Sequence, residues 1–348
     1  MDKITDKTDP DVNQYLTHIY VIQKKVNYPL LRKEGYMSVD MHVHTRFSDS
    51  FNKVSKILSK AKKKGIGIAI TDHNEIRGVL RAFHLKEALS LDIPVVPGIE
   101  VSSAEGPHIL VYFSCVHKLM HFYEHHIEPK KNINPHTNTN LTLAELVRVT
   151  KGYDCITSVA HPFSVAYTNV PNNIRKGYID PAFLDHIDAI EVLNGAVSKS
   201  ANENAIDYAY SLGKSITGGS DAHSIFEIGK IVTYAKADSV KRFFDQIKGG
   251  RSHVMGKPIG NVKRVPSLLK SVHKHAKFLF PDISMRYHHI VARPIRYNKP
   301  LVLNKIRYIS AESIELMKRP IEIPKRIIYK PLKIGYTVYK NNSKKYDK

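Results

Sequence analysis

Val39-Asp-Met-His-Val-His44 alternates apolar and polar side chains with the two-residue period of a strand, and its two histidines point the same way. Ser50 to Lys64 follows with apolar residues at Phe51, Val54, Ile57, Leu58 and Ala61, the spacing of a helix face, and Ile66–Thr71 is again a short apolar strand. The same alternation continues along the chain. A helix near Gly78–Leu91 precedes strands Val95–Val101 and His108–Ser114. Thr142-Leu-Ala-Glu145 has capping-box spacing and opens a helix to Thr150, ahead of strand Cys155–Ala160. Asp180-Pro181 is an N-cap with proline at the first helical position, followed by strand Ala189–Leu193 and a helix over Ser198–Leu212. Strands Ser215–Gly219 and Lys230–Tyr234 and a helix over Ser239–Lys248 complete the series. About seven strand–helix units predict an α/β fold, either a parallel barrel or a wound sheet. Before them, residues 11–26 carry Val12, Tyr15, Leu16, Ile19, Ile22 and Val26 at helical spacing.

The polar residues choose between barrel and sheet. His42, His44, His73, Glu100, His161 and Asp221 stand at or just beyond the carboxyl ends of their strands, the face where barrel active sites assemble. A barrel lets six strands deliver groups to one point. His108 departs from this rule because it opens its strand, and it must be reached from a sharp turn at Ser103-Ala-Glu-Gly-Pro107.

With Asp49 and His223, these residues make nine imidazoles and carboxylates, a donor set suited to zinc, manganese or iron. Zinc usually takes about four ligands, so nine imply two or three ions with a shared carboxylate. Glu100 and Asp221 end apolar strands, where an unpaired buried carboxylate is costly and metal ligation explains it. His117, His121, His125 and His126 form a second histidine group, but with no matching carboxylates they read as a solvated loop or helix face. Glu191 and Asn194 lie at a strand end, where they could cap the following helix.

Six motifs in order resemble the PHP superfamily, the polymerase and histidinol phosphatase domain. They are Asp40-Met-His-Val-His-Thr45 with Phe47-Ser-Asp49, Ile70-Thr-Asp-His73, Pro97-Gly-Ile-Glu100, His108-Ile-Leu, Ala160-His-Pro162 and Gly219-Ser-Asp-Ala-His223. Ala189-Ile-Glu-Val-Leu-Asn194 with Ala201-Asn-Glu-Asn204 resembles the PHP-associated segment. The resemblance spans about residues 36–235 and departs from the family pattern at Ser50 and in the stretch 162–176 after His161.

What it implies is a distorted (β/α)7 barrel with a two- or three-metal centre. His42, His44, Glu100 and Asp221 would hold one ion; Glu100, His108 and His161 a second; Asp49, His73 and His223 a third. Asp221, His223, His73 and Glu100 would carry catalysis, with Asp40 and Asp72 orienting ligand imidazoles from behind. For Glu191 and Asn194 the resemblance implies supporting or substrate-side groups instead of helix caps. The implied enzyme is a hydrolase of phosphate ester bonds in which a metal hydroxide attacks phosphorus. Its expected substrate is a small phosphomonoester or nucleotide, with Arg175 and Lys176 as candidate phosphate clamps.

Charge divides the chain differently. Residues 1–248 hold 30 Lys+Arg against 27 Asp+Glu, whereas residues 249–348 hold 23 against 5, a net of +18. The expected domains are therefore an N-terminal helical segment (1–35), the phosphoesterase domain (36–248) and a basic C-terminal extension (249–348). Such an extension seeks phosphate-rich partners, either nucleic acid or an anionic membrane surface. Tyr287, Tyr297, Tyr308, Tyr329, Tyr336 and Tyr339 interleave with its basic residues, which suits a nuclease that stacks bases. Ser267–Phe280 reads instead as a basic amphipathic helix that would tether a binding protein to lipid. No apolar run is long enough to span a bilayer, and two cysteines make no disulfide framework. The expected setting is cytoplasmic, peripheral to a membrane if the extension binds one.

Overall fold

The computed structural model describes residues 21–132, 137–164 and 168–258. In chain order these form β1 (Val21–Ile22), α1 (Tyr28–Lys33), β2 (Tyr36–Val43), α2 (Val54–Lys64), β3 (Gly67–Ile70) and α3 (Arg77–Ala88). Next come β4 (Val95–Ser102), β5 (His108–Phe113), α4 (Val116–Phe122) continued by a π turn at Tyr123–Ile127, α5 (Leu143–Thr150) and β6 (Cys155–Val159). Then follow α6 (Val170–Arg175), a 3-10 turn at Pro181–His186, β7 (Ala189–Asn194), α7 (Lys199–Ser211), β8 (Ser215–Gly219), β9 (Ile231–Lys236), α8 (Val240–Lys248) and β10 (His253–Gly256).

Local chemistry sets several of these boundaries. Thr142 and Glu145 close the capping box of α5 reciprocally, Asp180 accepts from the Ala182 N–H, and Gly65 ends α2 in the left-handed conformation.

The ten strands make one sheet in the order β1-β10-β9-β2-β3-β4-β5-β6-β7-β8. Seven of them, β2 to β8, lie side by side in chain order and curl until the segment after β8 returns to β2. There the His44 N–H donates to the Ala222 carbonyl (3.2 Å) and the Ala222 N–H to the His42 carbonyl (3.4 Å). This closes the distorted seven-stranded barrel. Gly219 permits the closure, because a Cβ there would strike the backbone of His42.

One strand of the barrel runs against the parallel pattern. β5 is antiparallel to both β4 and β6, and Ser102 pairs with His108. The start of β5 therefore lies beside the end of β4, which brings His108 to the same face as Glu100. The inner face beneath carries Ala69, Val96, Leu110, Tyr112 and Ala189, packed with Phe243, Phe244 and Ile247 of α8.

Two expectations need correction. The helix over 11–26 does not run through its last residues: Val21 and Ile22 pair with Val254 and Met255 of β10, and the helix starts afresh at Tyr28 under an Asn27 cap. Pairing with a distant strand overrides the local helical spacing, and residues 11–20 lie outside the described residues. Nor does the sheet stop at 248, since β10 pairs with β9 from His253 to Gly256. The chain divides into units Met1–Asp282 and Ile283–Lys348, and every described residue belongs to the first. The basic extension past residue 258, including Ser267–Phe280, lies outside the described residues. Among the described residues, no helix is long and apolar enough to cross a membrane.

Candidate metal centre

All nine expected donors meet at the strand ends, with Glu100 at the centre. Its side chain is fully buried, and five imidazoles from four segments face it. Oε1 lies 2.9 Å from His108 Nδ1 and 3.1 Å from His161 Nε2. Oε2 lies 3.2 Å from His42 Nε2, 3.3 Å from His44 Nε2 and 3.1 Å from His73 Nδ1. Asp221 Oδ1 closes on the same region, 3.2 Å from His44 Nε2 and 3.5 Å from His223 Nδ1. Asp49 Oδ2 contacts His223 Nε2 closely and stands 3.8 Å from His73 Nε2.

This arrangement fits divalent cations. The Nε2 atoms of His42 and His44 face each other at 3.1 Å, and their other nitrogens are already engaged: His42 Nδ1 by Glu191 at 2.9 Å, His44 Nδ1 by Ser48 at 3.4 Å. Two imidazole nitrogens aimed at one carboxylate oxygen form the donor pattern of a shared cation. Among the described residues, His73 Nδ1 is buried without a hydrogen bond of proper geometry, and His161 Nδ1 is also unbonded.

Three groups of donors lie within 4.8 Å of one another and can hold an ion: His42–His44–Glu100, His44–Asp49–His223 and His73–Glu100–His108. They share the expected donors but distribute them differently. His44 rather than His73 completes the group with Asp49 and His223, and His73 joins Glu100 and His108.

Charge in the site follows the same logic. Burial pushes Glu100 and Asp221 up, but the surrounding imidazoles outweigh it and hold both well below the usual carboxylate range. Burial likewise opposes protonation of His223, yet Asp49 carries it up to about 10. His42 is raised well above its ordinary value because Glu191, Glu100 and Asp221 overcome its burial. For His73 burial wins and drops it to about 3.

The supporting groups differ from expectation. Asp40 orients no imidazole side chain: it accepts from the Ser220 N–H (2.8 Å), the Ser220 hydroxyl (2.6 Å) and the Gly229 N–H (2.7 Å), fixing the backbone just before Asp221. Asp72 accepts from the Thr45 N–H and hydroxyl and from Ser48, so it reaches His44 only through Ser48. The carboxylate that does hold a ligand imidazole is Glu191. It binds His42 Nδ1 with one oxygen and accepts the His161 N–H (2.8 Å) and the Asn194 amide (2.9 Å) with the other. Asn194 also donates to Asp221 Oδ2 at 3.2 Å.

His161 and Asp221 adopt left-handed backbone conformations, φ 29° and 49°, which few non-glycine residues accept. Spacing gives no sign of this strain.

Arg175 and Lys176 end α6 on the surface, and Arg175 donates to Asn172 at 2.7 Å. No described contact joins either residue to the cluster.

A buried cluster of imidazoles and carboxylates at the strand ends of an α/β barrel defines a class of protein: barrels with a centre built for divalent metals. The chain belongs to the PHP domain family, whose model matches residues 40–239. An uncharacterized protein of Methanocaldococcus jannaschii, MJ1587, is 37% identical over 90 residues, which cover 22% of this chain and 52% of that protein. The chain thus spans about half the length of that relative. PsfC from Pseudomonas syringae is 18% identical, with a TM-score of 0.46 over 70% of this chain and 99% of its own. The lesion-specific endonuclease PfuEndoQ from Pyrococcus furiosus is 21% identical, with a TM-score of 0.47 over 63% of this chain and 57% of its own.

Proposed function

We propose that this protein hydrolyses phosphate esters at a centre of two or three divalent ions, acting on a small phosphomonoester or nucleotide. The observation that carries the reading is Glu100, a fully buried carboxylate ringed by five imidazoles, two of which turn facing nitrogens toward one of its oxygens. His42, His44, Glu100 and Asp221 would hold one ion, and Glu100, His108 and His161, with His73 beside them, a second. Asp49 and His223 would hold a third, completed by His44 or His73. Zinc, manganese and iron all suit this donor set. Bound there, such ions lower the pKa of water and neutralise charge on phosphoryl oxygens.

The chain's own residues do the positioning. Glu191 fixes the tautomer and direction of His42, and Asp40 holds the turn from which Asp221 projects. Asp221, His223, His73 and Glu100 would surround the reacting phosphate. No cysteine is placed to attack phosphorus: Cys155 is buried with its thiol pushed up to about 12 by that burial, and Cys115, just before α4, has no described contact with the cluster.

A second reading, a nuclease or nucleic-acid end-processing enzyme, is favoured by the net +18 of residues 249–348.

The test is phosphate release by manganese-reconstituted protein on phosphomonoesters, nucleoside bisphosphates and short oligonucleotides, with His42→Ala as control. Release that disappears in the variant supports the hydrolase, and the best substrate selects between the two readings. No release from any substrate, at confirmed metal loading, contradicts it.

A further inference from the structure

Helix α2 starts at the rim of the cluster, with Lys53 four residues after Asp49, and packs on the outside of the sheet. Its apolar residues Val54, Ile57, Leu58 and Ala61 are buried, and its remaining surface is lysine with two serines, Ser55 and Ser59. Residues 53–64 contain six lysines and no acidic residue. At its far end the helix meets α1: Arg32 donates to the Lys64 carbonyl at 3.3 Å, and Lys64 Nζ donates to the Tyr28 hydroxyl at 3.0 Å. Residues 21–36 add four basic residues against the single acid Glu34. The Tyr28 hydroxyl in turn donates to the Gly229 carbonyl, which brings Lys230 to the same face. Burial first, then the charges of Lys60, Lys230 and Lys25, lower the pKa of Lys64 against the opposing pull of Asp40, so these ammonium groups lie near one another.

Among the described residues, no carboxylate forms an ion pair with the lysines of this face. The lysines that do form ion pairs, Lys118, Lys130, Lys131, Lys199 and Lys248, lie elsewhere. Holding like charges together without counterions costs folding free energy, and a polyanion recovers it by releasing counterions on binding.

We propose that the α1–α2 face is a nucleic-acid-binding surface that grips the phosphate backbone without reading bases. Lys53, Lys56, Lys60 and Lys63 recur every three or four residues, which gives a straight stripe about 15 Å long that can follow a linear chain of phosphates. A membrane is the poorer partner. An amphipathic helix anchors by sinking its apolar face into lipid, and the apolar face of α2 is already buried in the core. The stripe begins at Lys53, four residues after the candidate ligand Asp49. Binding through this face requires no catalysis and can be read independently of it.

The test compares the full chain with its Lys56→Gln/Lys60→Gln/Lys63→Gln variant by fluorescence anisotropy on a labelled duplex oligonucleotide, over a series of potassium chloride concentrations. The expected result is at least a tenfold loss of affinity, with the slope of log K against log salt shallower by about 2 to 3, near 0.9 per lost phosphate contact. Thermal unfolding and phosphate release from a small ester should stay unchanged, as should sedimentation with phosphatidylserine–phosphatidylcholine vesicles. Three results overturn the proposal: no oligonucleotide binding by the unaltered chain, unchanged affinity and slope in the variant, or an equal loss of vesicle binding.

Discussion

Two groups of histidines in this molecule show what turns imidazoles into a metal centre. His117, His121, His125 and His126 all come from α4 and the π turn that extends it, within ten residues of chain. Their hydrogen-bond partners among the described residues are uncharged. His121 and His126 share the Tyr153 hydroxyl at 2.7 and 3.1 Å, His125 bonds the His121 carbonyl at 2.8 Å, and the His121 and His125 rings stack 4.0 Å apart. No carboxylate joins them within bonding distance among the described residues. The six histidines of the centre come from five separate segments and converge on Glu100, Asp49 and Asp221, all buried. Closeness in sequence gathers imidazoles cheaply, but only a fold that buries carboxylates from different strands can build a site demanding positive charge.

The sharpest way to break this contrast is to remove the hub. Glu100→Ala should lower phosphate release by about a thousandfold or more, the rate equivalent of several kcal/mol of lost charge stabilisation. His121→Ala/His125→Ala should leave both release and metal content within twofold of the unaltered chain; equal losses in the two variants would erase the distinction. Next in size is Glu191→Gln, which keeps the side chain's shape but loosens its hold on His42 and the His161 backbone. It should weaken metal affinity or activity about 10- to 100-fold, measurable as the manganese concentration giving half-maximal release. Gly219→Ala should be a stability effect. Its Cβ meets the His42 backbone where the barrel closes, so a cost of about 1–3 kcal/mol should appear as a lower midpoint of thermal unfolding. The smallest effect is expected for Arg175→Ala, whose exposed guanidinium is held by Asn172; its KM for the best substrate should change less than twofold.

Much of the architecture was legible because strands and helices announce themselves by period. The capping box at Thr142, the Asp180-Pro181 start and the strands bearing Glu100 and Asp221 all appear where spacing puts them. The donors were legible for an energetic reason, since carboxylates at the ends of apolar strands need a partner. What spacing does not encode is direction in space. β5 is antiparallel, which turns the anomalous position of His108 into the natural one. Whether His44 or His73 faces Asp49 depends on rotamer and register. Glu191 sits in an apolar strand where it reads equally as a helix cap, and only its bonds to His42 and His161 reveal its place. The left-handed backbones at His161 and Asp221 arise from tertiary closure and leave no mark in local sequence.

The central claim is that the convergent cluster, and not the helical one, takes divalent metal. Anomalous diffraction at the manganese edge from crystals grown with manganese tests it directly. Peaks are expected among His42, His44, Glu100 and Asp221 and their neighbours, with none beside His121 and His125. Peaks at the helical histidines with no density around Glu100 would contradict it.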